Sequence, residues 1–154
     1  MSNTNIKASD TGTVVAVIDP KSTVAAQNTD WIDVSDVYSL QALVIAGNLG
    51  TSATVDAKLE QAQDDSGTGA KDIDGKAITQ LTKASNDNNQ ATINLWPQEL
   101  DINNGFTHVR LTITPATAAS LICGVMLAAT TRYGAGAVQA DSVVEVVGYG
   151  PPEY

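Results

Sequence analysis

The stretch from Ala53 to Gln63, which reads ATVDAKLEQAQ, constrains the fold more than any other part of the sequence. Apolar and polar side chains alternate through its first eight positions, and this period of two is typical of a strand with one buried face. A helix is the competing interpretation, because Ala, Lys, Leu, Glu and Gln favour helices. However, Thr54 and Val55 are β-branched, and no apolar stripe of helical period is present. The stretch therefore predicts a half-buried β-strand.

Short apolar or alternating segments recur along the chain, separated by clusters of Gly, Asn, Asp and Pro. Besides the first stretch, strands are predicted at 13–18, 29–34, 39–47, 77–81, 91–96, 107–114 and 121–129. Strands of this number and spacing predict an all-β fold, a single antiparallel β-sandwich of jelly-roll-like form. Segments 13–18, 39–47 and 121–129 are apolar at nearly every position, which is typical of strands covered on both faces.

The 154 residues suit one domain with a sizeable core. We expect a flexible N-terminal arm at 1–12, the β-sandwich domain at 13–133 and a C-terminal tail at 134–154. Within the domain, Asp19-Pro20 should end the first strand, since proline lacks a ladder donor. The Gly- and Asp-rich segment 64–76 should form an exposed loop.

The predicted core follows from the apolar positions of these strands. It consists of Leu43, Ile45, Val55, Leu59, Ile93, Leu95, Val109, Leu111, Ile113, Val125 and Leu127. Cys123, the only cysteine, stands in the apolar segment 121–129 and should behave as a small hydrophobic residue.

Charge argues against nucleic acid as a partner. Eight Lys and Arg stand against seventeen Asp and Glu, which gives a net charge of −9 and no cationic cluster for phosphates. No apolar run approaches the length of about 18 residues that a membrane span needs, and no signal segment is recognisable. We therefore expect no membrane partner and synthesis in the cytoplasm.

Catalytic and metal-binding patterns are weak. His108 is the only histidine, and its alternation with Arg110 predicts a surface position rather than a catalytic base, so we expect no enzyme. Asp64-Asp65 and 72–75 resemble the start of a calcium loop, but the later ligands are missing. Solvated carboxylates, with no metal or cofactor, are the expectation, and a weak calcium site is the alternative.

The aromatic side chains offer a second alternative. A sugar-stacking platform is a common feature of β-sandwich binding modules. The candidate side chains, which share no motif, are Trp31, Trp96, Tyr133, Tyr149 and Tyr154. Packing in the core or at an interface is the interpretation that their scatter favours.

The tail contains a β-prone segment, SVVEVV at 142–147, after a glycine-containing connection. Such a segment can add to the exposed sheet edge of another chain. The candidate interaction residues are Val143, Val144, Val146, Val147 and Tyr149. The alternative is that this segment forms the last edge strand of its own sandwich.

Four motifs between 48 and 135, namely VDAKLEQAQD, GTGAKDI, INLWPQELD and FTHVRLTIT, carry a family resemblance. This part of the chain resembles small structural proteins of tailed bacteriophages and gene-transfer-like particles, encoded beside the major capsid gene. The resemblance implies a head decoration or cement protein on the capsid exterior, assembled in the host cytoplasm. Its implied partners are the major capsid protein and further copies of itself, as a trimer or another homo-multimer. The alternative is a receptor- or carbohydrate-binding module of a head fibre or tail.

Overall fold

Two antiparallel sheets stacked face to face form the protein in a computed structural model that describes residues 7–132 and 138–147. Sheet A contains, in spatial order, β1 (Thr13–Thr23), β10 (Ser120–Thr131), β4 (Val37–Ala46) and β8 (Gln90–Leu95). Sheet B contains, in spatial order, β2 (Gln27–Asn28), β9 (His108–Ala116), β5 (Thr54–Ala62) and β6 (Lys71–Ala77). Two short strands extend sheet B, β3 (Ile32–Asp33) on β9 and β7 (Leu81–Thr82) on β5.

In the described residues, helical structure is limited to single turns. These are α1 (Ala8–Thr11), α2 (Lys83–Asn86) and two 3-10 turns, Pro97–Glu99 and Ile102–Asn104. No helix in 7–132 or 138–147 is long and apolar enough to cross a bilayer. The all-β antiparallel sandwich is therefore confirmed. The jelly-roll form stays a prediction.

β5 forms where the alternation predicts it and lies in the middle of sheet B, between β9 and β6. Val55, Ala57 and Leu59 are buried between the sheets, while Lys58 and Glu60 lie on the outer face. The strict alternation thus sets the phase of the strand correctly.

The predicted core is correct for the strands that alternate. Buried as expected are Val55, Leu59, Ile93, Leu95, Val109, Leu111 and Ile113. It is wrong for β4 and β10, where Leu43, Ile45, Val125 and Leu127 are only half-buried on the outer face of sheet A. The inward residues are their neighbours Ala42, Val44, Ala46, Ile122, Gly124, Met126 and Ala128. Both strands are apolar at almost every central position, and Gln41, two residues before Leu43, is the polar residue that marks the outer face of β4.

The predicted end of the first strand and the predicted loop at 64–76 are also wrong. β1 continues past Asp19-Pro20 to Thr23, with a register shift between Ile18 and Lys21. This is possible because β1 is an edge strand, where a proline removes no ladder bond. The segment 64–76 is not wholly a loop, since β6 occupies Lys71–Ala77 and buries Ile73 against the core.

Both ends of the described chain lie against sheet A. Part of the predicted arm, Ala8–Thr11, forms the turn α1. In the tail, the Ala140 N–H donates to the Val14 carbonyl on β1 at 2.8 Å, and Thr13 Oγ1 donates to Gln139 Oε1 at 3.2 Å. The β-prone segment 142–147 contains no strand. The alternative of a last edge strand there is therefore wrong for this structure.

Candidate interaction surfaces

The outer face of sheet B is polar, and a group of its charged side chains is paired within the chain. Arg110 Nε donates to Glu60 Oε2 at 2.8 Å, and Thr112 Oγ1 donates to the same oxygen at 2.6 Å. Lys58 bridges Glu60 at 3.6 Å and Asp72 at 2.6 Å. This arrangement is that of a solvated face whose charges are satisfied within the chain.

The pKa values on this face follow from the same contacts. Burial raises the pKa of Glu60, but the hydrogen bonds from Thr112 and Arg110 outweigh it, so the pKa lies below its ordinary value. The hydrogen bond to Asp72 raises the pKa of Lys58. Both groups are therefore held in their charged forms by their neighbours.

The outer face of sheet A is different, because it is apolar across three strands. We call it the apolar face, and it consists of Val14, Val17, Leu43, Ile45, Leu121, Cys123, Val125 and Leu127. Register places Val17, Val125 and Leu43 in one row across β1, β10 and β4. Leu121 is the most open of the set, with 45% of its surface exposed. Burial raises the pKa of the Cys123 thiol, which keeps it neutral.

The tail valines lie at one end of the apolar face. Val144 is 97% exposed and Val147 is 84% exposed. Val143 and Val146 are half-buried and line a cleft of about 410 Å³ together with Val14, Leu127 and residues of α1. Of the predicted interaction residues, these four thus form one apolar ridge beside sheet A, and Tyr149 lies outside the described residues.

A second cleft, of about 310 Å³, opens at the end of the sandwich where β4 begins and β8 ends. We call it the end cleft. It is lined by Val34, Ser35, Val37, Tyr38, Pro97, Gln98, Leu100, Ile102, Phe106, Thr107 and Arg132. Tyr38 is 50% and Ile102 is 54% exposed at its rim, and Trp96, next to Pro97, is 66% exposed. The end cleft is therefore bordered by large apolar side chains in water.

The loop that carries Ile102 is fixed by hydrogen bonds at several points. The Asp101 N–H donates to Gln61 Oε1 at 2.8 Å, and the Asp101 carboxylate accepts hydrogen bonds from Lys71 and Asn104. The last two contacts lower the pKa of Asp101. Gly105 closes the turn at φ +81°, a conformation that favours glycine. This loop thus presents Ile102 in a defined position.

Sequence reasoning missed the end cleft. Its walls come from residues 34–38 and 97–107, which are distant in the chain, and Tyr38 was not singled out. The one local signal is Ile102, an apolar side chain within a turn between Pro97 and Gly105.

The other candidate residues lie apart from these surfaces. His108 Nδ1 lies 2.9 Å from Thr107 Oγ1, at the start of β9. Asp64 closes its own turn by accepting from the Ser66 and Thr68 N–H groups. In the part of the chain that the structure describes, no group of three or more His, Cys, Asp or Glu side chains is gathered for a metal ion.

The proposed aromatic platform is not assembled by the described residues. Trp31 lies under the Arg110 guanidinium, 4.5 Å from the ring centroid, on the outer face of sheet B. Trp96 lines a depression at the end of β8 with Lys76 and Glu99. Tyr133, Tyr149 and Tyr154 lie outside the described residues.

Comparisons with known proteins give distant likenesses only. No protein family profile and no curated protein sequence matches the chain. The crystal structure of the SPBc2 prophage-derived protein YomS is similar at 11% identity and a TM-score of 0.40, over 77% of this chain and 92% of that one. The structure of infectious bursal disease virus, Gt strain, is similar at 11% identity and a TM-score of 0.35, over 82% of this chain and 31% of that one. Likenesses this distant assign neither a family nor a function.

Proposed function

We propose that this protein is a structural component of a tailed-phage or gene-transfer-like particle, which stabilises the head by binding the major capsid protein lattice from outside. The resemblance of residues 48–135 to virion proteins supports the setting. The end cleft is the observation that carries the contact, since it is lined by large apolar side chains and two of them, Tyr38 and Ile102, are about half exposed at its rim. The proposed role requires no catalysis and no cofactor.

The composition of the end cleft is that of a binding hot spot. Tyr and Trp are enriched where truncation costs an interface most, and they act best when fixed before binding. Tyr38 lies at the start of β4 within the cleft lining, and Trp96 lies just outside it, directly after β8, where its backbone N–H donates to Glu99 Oε2 at 2.8 Å. A protruding apolar side chain of the capsid protein fits a cleft of about 310 Å³ with such a rim.

Trp96 also supports the second candidate function, a carbohydrate-binding module. An exposed indole can stack on a sugar ring, and Lys76 and Glu99 beside it can donate and accept hydrogen bonds. Glycan binding that is lost in Trp96→Ala, without any binding to heads, would favour this function over the first.

Binding to heads tests the proposal. Purified protein is mixed with undecorated heads from the same genome, and the bound fraction is measured by co-sedimentation. Ile102→Asp should weaken binding about tenfold or more, because it places a charge in the contact. Val24→Asp is the matched control. Val24 is equally exposed, at 54%, but it lies directly after β1, at the opposite end of the sandwich from the end cleft.

Two results would contradict the proposal. If the native protein does not bind the heads, the decoration role is wrong. If Ile102→Asp and Val24→Asp bind as well as the native protein, the capsid contact lies elsewhere than the end cleft. Cryo-electron microscopy of decorated heads then locates it.

A further inference from the structure

We propose that the apolar face is a self-association surface, on which a second copy of this chain packs its own apolar face, sheet against sheet. The exposed tail residues Val144 and Val147 extend this contact at one end. This dimer goes beyond binding to the capsid, and it uses a different surface from the end cleft.

The first argument is the pattern of apolar residues within sheet A. β1, β4 and β10 are apolar on both faces, which is typical of strands covered on both sides. They are adjacent in the sheet, so their outward side chains form one continuous patch. Among the described residues, the tail adjoins this patch at one end and along β1. Val143 and Val146 line a cleft with Val14 and Leu127, and residues 140–142 line another cleft with Val17. Leu43 and Val125, on β4 and β10, line neither of these clefts.

The second argument is charge. The chain carries a net charge of −9, so two copies repel one another through most of their surfaces. The apolar face contains no charged side chain, and the outward residues beside it on β4 and β8 are uncharged as well: Gln41, Gln90, Thr92 and Asn94. This face presents no carboxylate that could bind a basic partner. On these strands an acidic copy of the same chain meets no like charge, and the tail valines bring one carboxylate, Glu145, to the end of the contact.

The third argument is shape and size. A pleated antiparallel sheet packs on another at about 10 Å without needing a pocket, and a two-fold axis makes the contact self-complementary. Three strands about 4.8 Å apart and about eight residues long present roughly 380 Å². Stable interfaces bury about 800 Å² per partner. The apolar face supplies about half of that area, and both the uncharged strand β8 and the ridge of tail valines adjoin it.

The test combines mass measurement with the reactivity of Cys123. Native protein should sediment as a dimer, with a dissociation constant that Leu121→Glu weakens about tenfold or more, because the two-fold axis introduces the charge twice. Leu121 is 45% exposed, so its substitution does not place a charge in the core. Thr114→Glu is the control and should leave the dimer intact, since Thr114 is exposed on the outer face of sheet B, away from the apolar face.

Cys123 lies within the proposed contact and reports on it directly. Its alkylation by iodoacetamide should slow as the concentration of native protein rises, and should not slow in Leu121→Glu. Circular dichroism confirms that each variant retains its strands. Three results would overturn the inference: a native monomer at every concentration, a trimer, which has no such two-fold contact, or a dimer that Leu121→Glu leaves unchanged.

Discussion

Gly124 sets how closely the two sheets approach each other. It lies on the inner face of β10, and a methyl group at this position would lie 2.8 Å from Leu111 Cδ2 and 3.1 Å from Ile113 Cδ1. Real side chains do not tolerate such distances, so Gly124→Ala requires the Leu111 side chain to move. The two residues are therefore coupled through one shared volume.

The magnitudes follow from this contact. Leu111 is fully buried, so Leu111→Ala should cost about 2–5 kcal/mol of the free energy of unfolding. Gly124→Ala should cost about 1–3 kcal/mol through overpacking, less about 0.5–1 kcal/mol regained because alanine suits a strand better than glycine. In the double variant the new methyl enters space that Leu111 has vacated. The unfolding free energy lost in the double variant should therefore fall short of the sum of the two single losses by about 1 kcal/mol or more.

Urea unfolding of the four proteins measures this coupling. The slope with denaturant should stay constant, so that midpoints report stability. Gly124→Ala combined with Ile73→Ala is the control, because Ile73 lies on β6, two strands away from β9. That pair should be additive within about 0.5 kcal/mol. If Leu111→Ala and Gly124→Ala are additive to the same degree, the account of sheet spacing is wrong.

Three further predictions concern the surface and the loops. The pKa of Glu60 is lower in the folded protein than its unfolded value of about 4.3, so its ionisation stabilises the fold above that pH. This stability is lost as pH falls through the folded pKa. Glu60→Gln should therefore flatten the acid limb of a plot of unfolding free energy against pH. Gly50→Ala should cost about 2–3 kcal/mol in urea unfolding, because the new methyl would lie 2.5 Å from the Ala119 carbonyl oxygen. Deleting 141–154 should leave the thermal midpoint within a few degrees, since the Ala140 hydrogen bond remains, and should weaken self-association. A drop of many degrees would show that this segment belongs to the fold.

Much of the fold could be predicted from alternation alone. In β5 and β9 a polar residue stands at every second position, so the buried positions of Leu59 and Leu111 follow from the sequence. In the centre of β10 the same rule has nothing to act on, because every position is apolar or glycine. In β4 the one polar residue next to the apolar run, Gln41, is in phase with Leu43, and the outward position of Leu43 follows from it. A single polar residue at one end of a run of five apolar residues is a weak signal.

The interaction surfaces were less predictable, because they join distant segments. The tail was expected to extend away from the sandwich, whereas Ala140 bonds to Val14, a contact between opposite ends of the chain. The apolar face did have a sequence signal, namely strands apolar on both sides. That these strands form one continuous apolar surface could be inferred only from the strand order, which places them next to one another and leaves one side of the sheet open.

The position of β10 between β1 and β4 has a consequence for the order of synthesis. β1 leaves the ribosome early, but its native neighbour is complete only when residue 131 has been made. In sheet B, β2 and β5 likewise cannot form their pairings with β9 until β9 has been synthesised. Pairings of such sequence separation are slow to form, on a scale of about milliseconds to seconds. The apolar face therefore exists only after residue 131 has been made, so shorter nascent chains on one messenger do not present it to each other.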